Sequence, residues 1–189
     1  MKKTIIIFLG MVSTLGFAQK KELKKAEKLF ASGDTAGANA MLNDNASLFE
    51  AADEKTTASY QFLQAKIAQA TQDFQTAMDM YTALKDDSRL KAGVAEQLQK
   101  LQNELVNAAI EDNEKEDYMA SATKLFMAYQ INPENGKDYL YYAASNSVNG
   151  QFYDKALEYY FLLKEIKYTG VTTKYLVTEV ATNEEVEVT

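Results

Sequence analysis

Carboxylates are the side chains of this 189-residue sequence that could act as acids, bases or metal ligands. The densest run of them, residues 111–117 (EDNEKED), lacks the alternating oxygen ligands and central glycine of a calcium-binding EF-hand loop. The sequence has no histidine and no cysteine, which removes the usual general base, the commonest transition-metal ligand and thiolate chemistry. We therefore interpret the acidic run as a solvated turn and expect no catalytic residue, no metal and no cofactor.

Tyrosine is the other side chain that could contact a ligand, by stacking on a sugar or a peptide. Most of the twelve tyrosines fall between residues 139 and 175, at positions that favour packing between helices. Tyr141 is the exception: we assign Tyr139 and Tyr142 to the packing face, which turns Tyr141 toward a groove.

The elements that would hold these residues follow from a phrase that occurs four times. Each copy has a polar turn, then a small residue, then apolar residues at helical spacing. The small residues are Ala38, Ala77, Ser121 and Ala156, roughly 40 residues apart. Another amphipathic stretch precedes each turn, at residues 20–32, 57–70, 90–112 and 138–148. The pattern predicts four helix–turn–helix units, in which the small residue lets the first helix of the unit approach closely.

The best copies carry a recognisable signature. Gln72-Asp73-Phe74 is followed by Ala77 and Tyr81, and matching residues recur around Asp117-Tyr118, Ala128 and Pro133, and around Phe152/Tyr153, Ala156 and Tyr160. In these residues the chain resembles the tetratricopeptide repeat (TPR) family over residues 20–168, although tryptophan is absent and only one unit ends in proline. The resemblance implies an all-α, right-handed solenoid of about four helix–turn–helix units.

Several boundaries have local causes. Pro133 indicates a break between units, and Asp53 is a plausible N-terminal cap of a helix. Gly33 and Gly150 suit the positive-φ residue at a helix C-terminus. The extra length of two units is expected in the links 43–56 and 85–93.

The resemblance also implies where a partner would bind, because the first helices of such a stack line its concave side. The groove positions carried over to this sequence are Phe62, Lys66, Gln69, Asn103, Val106, Ile110, Asn113, Tyr141 and Ser145. Their mixed apolar and amide character suggests a peptide or helix from another protein. Leu23 and Glu27 stand where the family's carboxylate clamp has Lys and Asn, so chaperone-type recognition is not expected.

The N-terminus reads as a targeting segment. Residues 1–3 are a short basic head, residues 4–17 are apolar and uncharged, and Gly16 and Ala18 are small. This pattern predicts a signal peptide over residues 1–18 with cleavage between Ala18 and Gln19, and hence export to the periplasm or cell-envelope surface. A retained anchor helix is the alternative. Residue 19 is not cysteine, so lipidation is not supported, and no other stretch could span a membrane.

The tail, residues 169–189, has a different period. Residues 174–181 (KYLVTEVA) are rich in β-branched residues, 182–184 resemble a turn, and 185–189 (EVEVT) alternate. The pattern predicts a β-hairpin or extended tail after the helical domain of residues 19–168. Residues 168–175 also resemble a segment of exported repeat proteins in which further repeats follow, so a truncated chain is an open alternative.

The sequence thus predicts a non-catalytic scaffold of the bacterial cell envelope that binds another protein. Its acidic net charge of −7 argues against nucleic acid. Two alternatives stay open: the docking or sensor part of a longer envelope assembly protein, and a small-ligand (glycan) binder that uses Tyr141 and Phe62.

Overall fold

The computed structural model describes the backbone of residues 2–171, 175–178 and 185–188, and the side chains of residues 16–171. The helices are α1 (Lys2–Ala31), α2 (Thr35–Asp44), α3 (Ala46–Glu50), α4 (Glu54–Ala70), α5 (Phe74–Leu84), α6 (Lys91–Glu114), α7 (Tyr118–Ile131), α8 (Lys137–Asn149) and α9 (Tyr153–Glu165). Two short strands follow, β1 (Tyr175–Thr178) and β2 (Glu185–Val188). The prediction of a mainly helical chain is confirmed.

Consecutive helices pack as pairs, α1 with α2, α4 with α5, α6 with α7 and α8 with α9. The second helix of each pair also contacts the first helix of the next pair. Three buried clusters result, centred on α1–α4, on α4–α7 and on α6–α9, so that neighbouring clusters share helices. This arrangement is compatible with a helical solenoid.

The small residues of the repeated phrase lie inside the helix pairs, as the sequence predicts. The exposed fraction is 0% for Ala38, Ala77 and Ser121 and 3% for Ala156. A larger side chain at any of these positions would push the paired helices apart, because protein interiors are close-packed.

The turn inside each pair repeats the same backbone geometry. The residue before the N-cap of the second helix has a positive φ in all four: 88° at Gly33, 63° at Gln72, 61° at Glu116 and 62° at Gln151. In the first three turns an aspartate then caps the second helix through its side chain.

The prediction for Gly33 is thus confirmed, and that for Gly150 is wrong. Gly150 has φ −81° and is the C-cap of α8, while the left-handed residue is the next one, Gln151. Close packing explains the glycine instead. An ideal Cβ on Gly150 would lie 2.6 Å from the Phe152 ring and 2.9 Å from Cβ of Tyr118.

The links between pairs contain features that the periodicity only partly indicates. The link 43–56 holds the short helix α3, whose Phe49 stacks on Tyr60 with ring centroids 4.4 Å apart. Asp53 caps α4 by accepting a hydrogen bond from the Thr56 N–H, as predicted. Pro133 lies in the turn between α7 and α8, also as predicted.

Helix α1 runs without a break through the predicted cleavage site. Phe17 is exposed, whereas Gln19 is buried and donates a 2.9 Å hydrogen bond from Nε2 to the carbonyl of Leu48. Signal-peptide removal stays a prediction. None of the helices in the described residues combines the length and apolar character needed to cross a lipid bilayer.

The two strands pair antiparallel, with Tyr175 opposite Val188 and Thr178 opposite Glu185. They fall within the segments that the sequence assigns to strands. The predicted turn at residues 182–184 lies outside the described residues, so the hairpin as a whole stays a prediction.

A candidate binding cleft between three helices

A cleft of about 400 Å³ opens where α6, α7 and α8 meet. Helix α7 packs against both neighbours, while α6 and α8 are barely in contact with each other in the described part of the chain. The lining residues are Val106, Ala109, Ile110, Asn113 and Glu114 of α6, Ser121 and Leu125 of α7, and Tyr139, Tyr142 and Asn146 of α8. The cleft is therefore walled by two first helices and floored by the second helix between them.

Apolar side chains make up most of this surface. Val106 and Tyr139 are half-buried and Leu125 is buried, whereas Ile110 keeps 53% of its surface exposed. Covering exposed apolar surface is worth about 25 cal/mol per Å² before the costs of association. The cleft can thus accept the apolar side chain of a ligand.

A chain of hydrogen bonds fixes the polar part of the cleft. The Asn146 amide donates to the Ser121 hydroxyl over 2.7 Å, and that hydroxyl donates to the carbonyl of Ala109 over 2.7 Å. The chain ties α8 to α7 and α7 to α6. In the described residues the amide oxygen of Asn146 accepts no hydrogen bond, so it remains available to an N–H group of a ligand.

Acidic residues lie at one end of the cleft. Glu114 lines the cleft, and the turn after α6 exposes Glu116 and Asp117. Glu111 lines another cleft, and its carboxylate lies 3.8 Å from the Lys115 ammonium. Lys124 is engaged in a close ion pair with Asp112. The local charge favours a ligand that carries lysine or arginine near this end.

The predicted groove residues divide among several places. Val106, Ile110 and Asn113 come together in this cleft. Phe62 and Lys66 line another cleft of about 370 Å³, where the Lys66 ammonium lies 5.2 Å from the ring centroid of Phe30 and 5.8 Å from that of Phe62.

The remaining groove positions lie elsewhere. Gln69 is buried, accepts a 2.8 Å hydrogen bond from the Tyr81 hydroxyl and donates a 3.0 Å bond to Glu104. Asn103 is exposed on α6 and Ser145 is half-buried on α8, outside the lining of these clefts. The nine positions therefore do not form one continuous surface.

Tyr141 belongs to a third cleft, of about 730 Å³, beside the C-terminal end of the stack. Tyr142, Tyr160 and Tyr168 share it. The Tyr168 hydroxyl donates a 2.5 Å hydrogen bond to Asp138, and this bond to a carboxylate raises the pKa of Tyr168 to about 12.

The assignment of these tyrosines to core packing is wrong for several of them. Tyr159 is buried, but Tyr141, Tyr142, Tyr153 and Tyr160 are exposed. Within the described helices no further helix packs beyond α9, so residues at packing positions of the last pair face solvent. The reasoning that set Tyr141 apart from Tyr142 also fails, because Tyr142, at 54%, is more exposed than Tyr141, at 42%.

Sequence reasoning missed Tyr142 and Asn146 as cleft residues. It assigned Tyr142 to the packing face of α8, and the helical spacing of residues 138–148 places Asn146 on the same face. A signal was available. Asn146 lies four residues after Tyr142 on that face, and a half-buried amide requires a hydrogen-bond partner, here the similarly polar Ser121.

Comparisons with protein-family models, with curated proteins and with solved structures gave no match.

Proposed function

We propose that the protein is a non-catalytic, TPR-like scaffold of the bacterial cell envelope that binds a peptide or helix of another protein. The observation that carries the proposal is the open, mainly apolar cleft between α6, α7 and α8, with Asn146 held in place by Ser121. Export after cleavage at Ala18/Gln19, the right-handed solenoid and the C-terminal hairpin belong to the same proposal.

The chemistry of the cleft suits recognition rather than turnover. Its polar groups are amides, a hydroxyl, two phenols and one carboxylate. The whole sequence contains neither histidine nor cysteine. A partner would place an apolar side chain on Val106 and Ile110 and donate a backbone N–H to the Asn146 amide oxygen.

Rigidity supports this mode of binding. The walls of the cleft are long helices, and the hydrogen-bond chain from Asn146 to Ala109 orients the amide before a ligand arrives. Little conformational entropy would then be lost on the protein side during binding. The exposed carboxylates of Glu114, Glu116 and Asp117 would favour a partner with basic residues flanking its apolar anchor.

Selection from a displayed peptide library tests the proposal. We expect the selected peptides to share an apolar anchor next to lysine or arginine, and to shift the NMR signals of residues lining the cleft. Ile110→Asp should abolish their binding, whereas Thr123→Asp, on the exposed side of α7, should not. Peptides that bind both variants equally would contradict the proposal.

A small-ligand binder is a second candidate, favoured by the tyrosine cleft. Tyr141 lies 5.7 Å from Tyr142 and 6.0 Å from Tyr168, measured between ring centroids, and Asp138 offers a hydrogen-bond acceptor beside them. Aromatic faces next to a carboxylate suit a sugar ring. Phe62 lies in a different cleft, so a single site that uses both Tyr141 and Phe62 is not supported. A glycan array on which Tyr141→Ala loses the hits of the parent protein would favour this candidate.

A further inference from the structure

The outward face of α9 is an apolar stripe that no described element covers. Tyr153, Leu157, Tyr160 and Phe161 recur at the spacing of one helix face, and all four are exposed. Lys164 extends the stripe by one more turn and is also exposed. Contiguous apolar surface of this kind on a folded protein usually marks an interaction site.

The repeated units identify what such a face normally contacts. Tyr160 follows its small residue, Ala156, by four positions, as Tyr81 follows Ala77. Tyr160 is 40% exposed and Tyr81 is 0% exposed. Similarly, Tyr153 is 64% exposed, while Phe74 at the same position of the second pair is 8% exposed.

The difference lies in the next helix of the stack. Helix α6 packs on α5, and α8 packs on α7 after a short turn that reverses the chain direction. The positions of Tyr153 and Tyr160 are thus ones that, in α5, lie beneath an antiparallel helix. The position of Phe161 is half-buried in α7, at Phe126, and exposed in α5, at Thr82. An antiparallel helix is therefore the occupant that fits α9.

The first helix of another copy does not supply one. The surface of α1 that is exposed beyond Gln19 is largely basic, with Lys20, Lys21, Lys24 and Lys28 exposed. Such a face offers little apolar surface to cover four large apolar side chains. The exposed face of α1 beyond Gln19 is thus polar, whereas that of α9 is apolar. Head-to-tail stacking, in which α1 of one copy would cover α9 of the next, is therefore not the arrangement that fits best.

A second α9 does fit. The stripe is symmetric about the point between residues 158 and 159. Leu157 and Tyr160 lie equally far from that point, and so do Tyr153 and Lys164. A two-fold, antiparallel contact centred there places Leu157 against Tyr160 of the other copy, and the Lys164 ammonium over its Tyr153 ring. In this contact an aliphatic side chain packs against an aromatic ring, and an ammonium group lies over another aromatic ring.

We propose that two copies of this chain associate through their α9 helices, antiparallel and with this register. The surface is separate from the cleft between α6, α7 and α8, which stays open in each copy. Tyr160 and Lys164 also line the cleft of Tyr141, so the contact between copies would cover part of that third cleft. A contact between two single helices buries a small area compared with most specific interfaces. We therefore expect the association to be weak.

Sedimentation of the protein at concentrations up to about 1 mM, the weak end of specific binding, tests the proposal. We expect a concentration-dependent dimer. The double variant Leu157→Glu/Phe161→Glu should remain monomeric at every concentration, with an unchanged circular dichroism spectrum because both positions are exposed. Val148→Glu, an exposed apolar residue of α8 outside the stripe, should dimerise like the parent protein.

The register has its own test, since the chain contains no cysteine. Chains with Leu157→Cys and chains with Tyr160→Cys, mixed and oxidised, should form the mixed disulfide, whereas Val148→Cys mixed with Leu157→Cys should not. The proposal is overturned by a parent protein that stays monomeric up to about 1 mM. It is also overturned by a Leu157→Glu/Phe161→Glu variant that dimerises normally, or by equal disulfide yields in the two mixtures.

Discussion

Three residues with side chains occupy the left-handed backbone region in the turns within the helix pairs: Gln72, Glu116 and Gln151. The first pair has glycine there, at Gly33. A residue with a Cβ is sterically strained in this conformation. The packing of the two connected helices must therefore hold the later three turns in it.

Gln151→Gly should therefore stabilise the protein. Relief of the strain is partly offset by the greater flexibility of glycine in the unfolded chain, and we expect a gain of about 0.5–1 kcal/mol in the free energy of unfolding. Urea denaturation measures it. Gly33→Ala is the matched reverse change, because nothing lies within 4 Å of an added Cβ and only the φ of 88° resists it. A loss of stability in Gln151→Gly would contradict this account of the turns.

The turn before α6 makes a pH-dependent contribution to the stability of the fold. Asp87 accepts hydrogen bonds from the guanidinium and from the backbone N–H of Arg89, and these bonds lower the pKa of Asp87 to about 2. Because the pKa in the folded protein lies below the unfolded value, the interaction stabilises the fold above pH about 4. The stabilisation is lost as the pH falls toward 2.

An NMR titration of the aspartate carboxyl carbons checks this prediction. We expect Asp87 to titrate near pH 2 in the parent protein and closer to the ordinary aspartate value in Arg89→Gln. The variant should also lose less stability than the parent protein when the pH drops from about 4 to about 2. Identical titration curves for Asp87 in the two proteins would show that Arg89 does not hold this carboxylate.

At the scale of elements, a polar link that runs from the core to the surface joins α4, α5 and α6. The Tyr81 hydroxyl is fully buried and donates to Gln69, which in turn donates to Glu104. Burial raises the pKa of Tyr81, so its hydroxyl remains a proton donor throughout the usual pH range. The link explains why an amide lies at a position that sequence reasoning assigned to a groove.

Tyr81→Phe should leave the Gln69 amide oxygen buried without a donor, at a cost of about 1–3 kcal/mol in the free energy of unfolding. Chemical denaturation of the variant gives the value. Tyr153→Phe removes the same hydroxyl from an exposed ring and should change stability by less than about 0.5 kcal/mol. Equal effects of the two substitutions would mean that the polar link contributes nothing.

Helical periodicity was enough to predict the helix pairs, because each helix buries one face and the small residues report where two helices meet. It was not enough for α3, whose five residues are too few to show a period. It also misassigned Tyr142 and Tyr160, since a periodic face shows that a residue suits a helix contact but not that a neighbouring helix is there.

At the scale of the whole molecule, the clefts depend on the distance between the first helices of neighbouring pairs, such as α6 and α8. Val106, Ile110 and Asn113 were predicted together with Asn103 because the groove positions of the TPR family were carried over to one helix. The first three line one cleft and Asn103 does not. Phe62 and Tyr141 were predicted to share that groove, but they lie on other helices, in separate clefts. The sequence predicts which residues share one face of a helix. The distances between helices depend on how all of the helices pack, and the sequence pattern does not predict them.

The most direct measurement of the central claim is photo-crosslinking in cells from a photoreactive amino acid at Ile110, the exposed apolar residue of the cleft between α6, α7 and α8. The same amino acid at Thr123, on the exposed side of α7, is the control. We expect the photoreactive residue at Ile110 to capture one defined protein and the one at Thr123 to capture none. Capture of that protein from Thr123 but not from Ile110 would contradict this expectation.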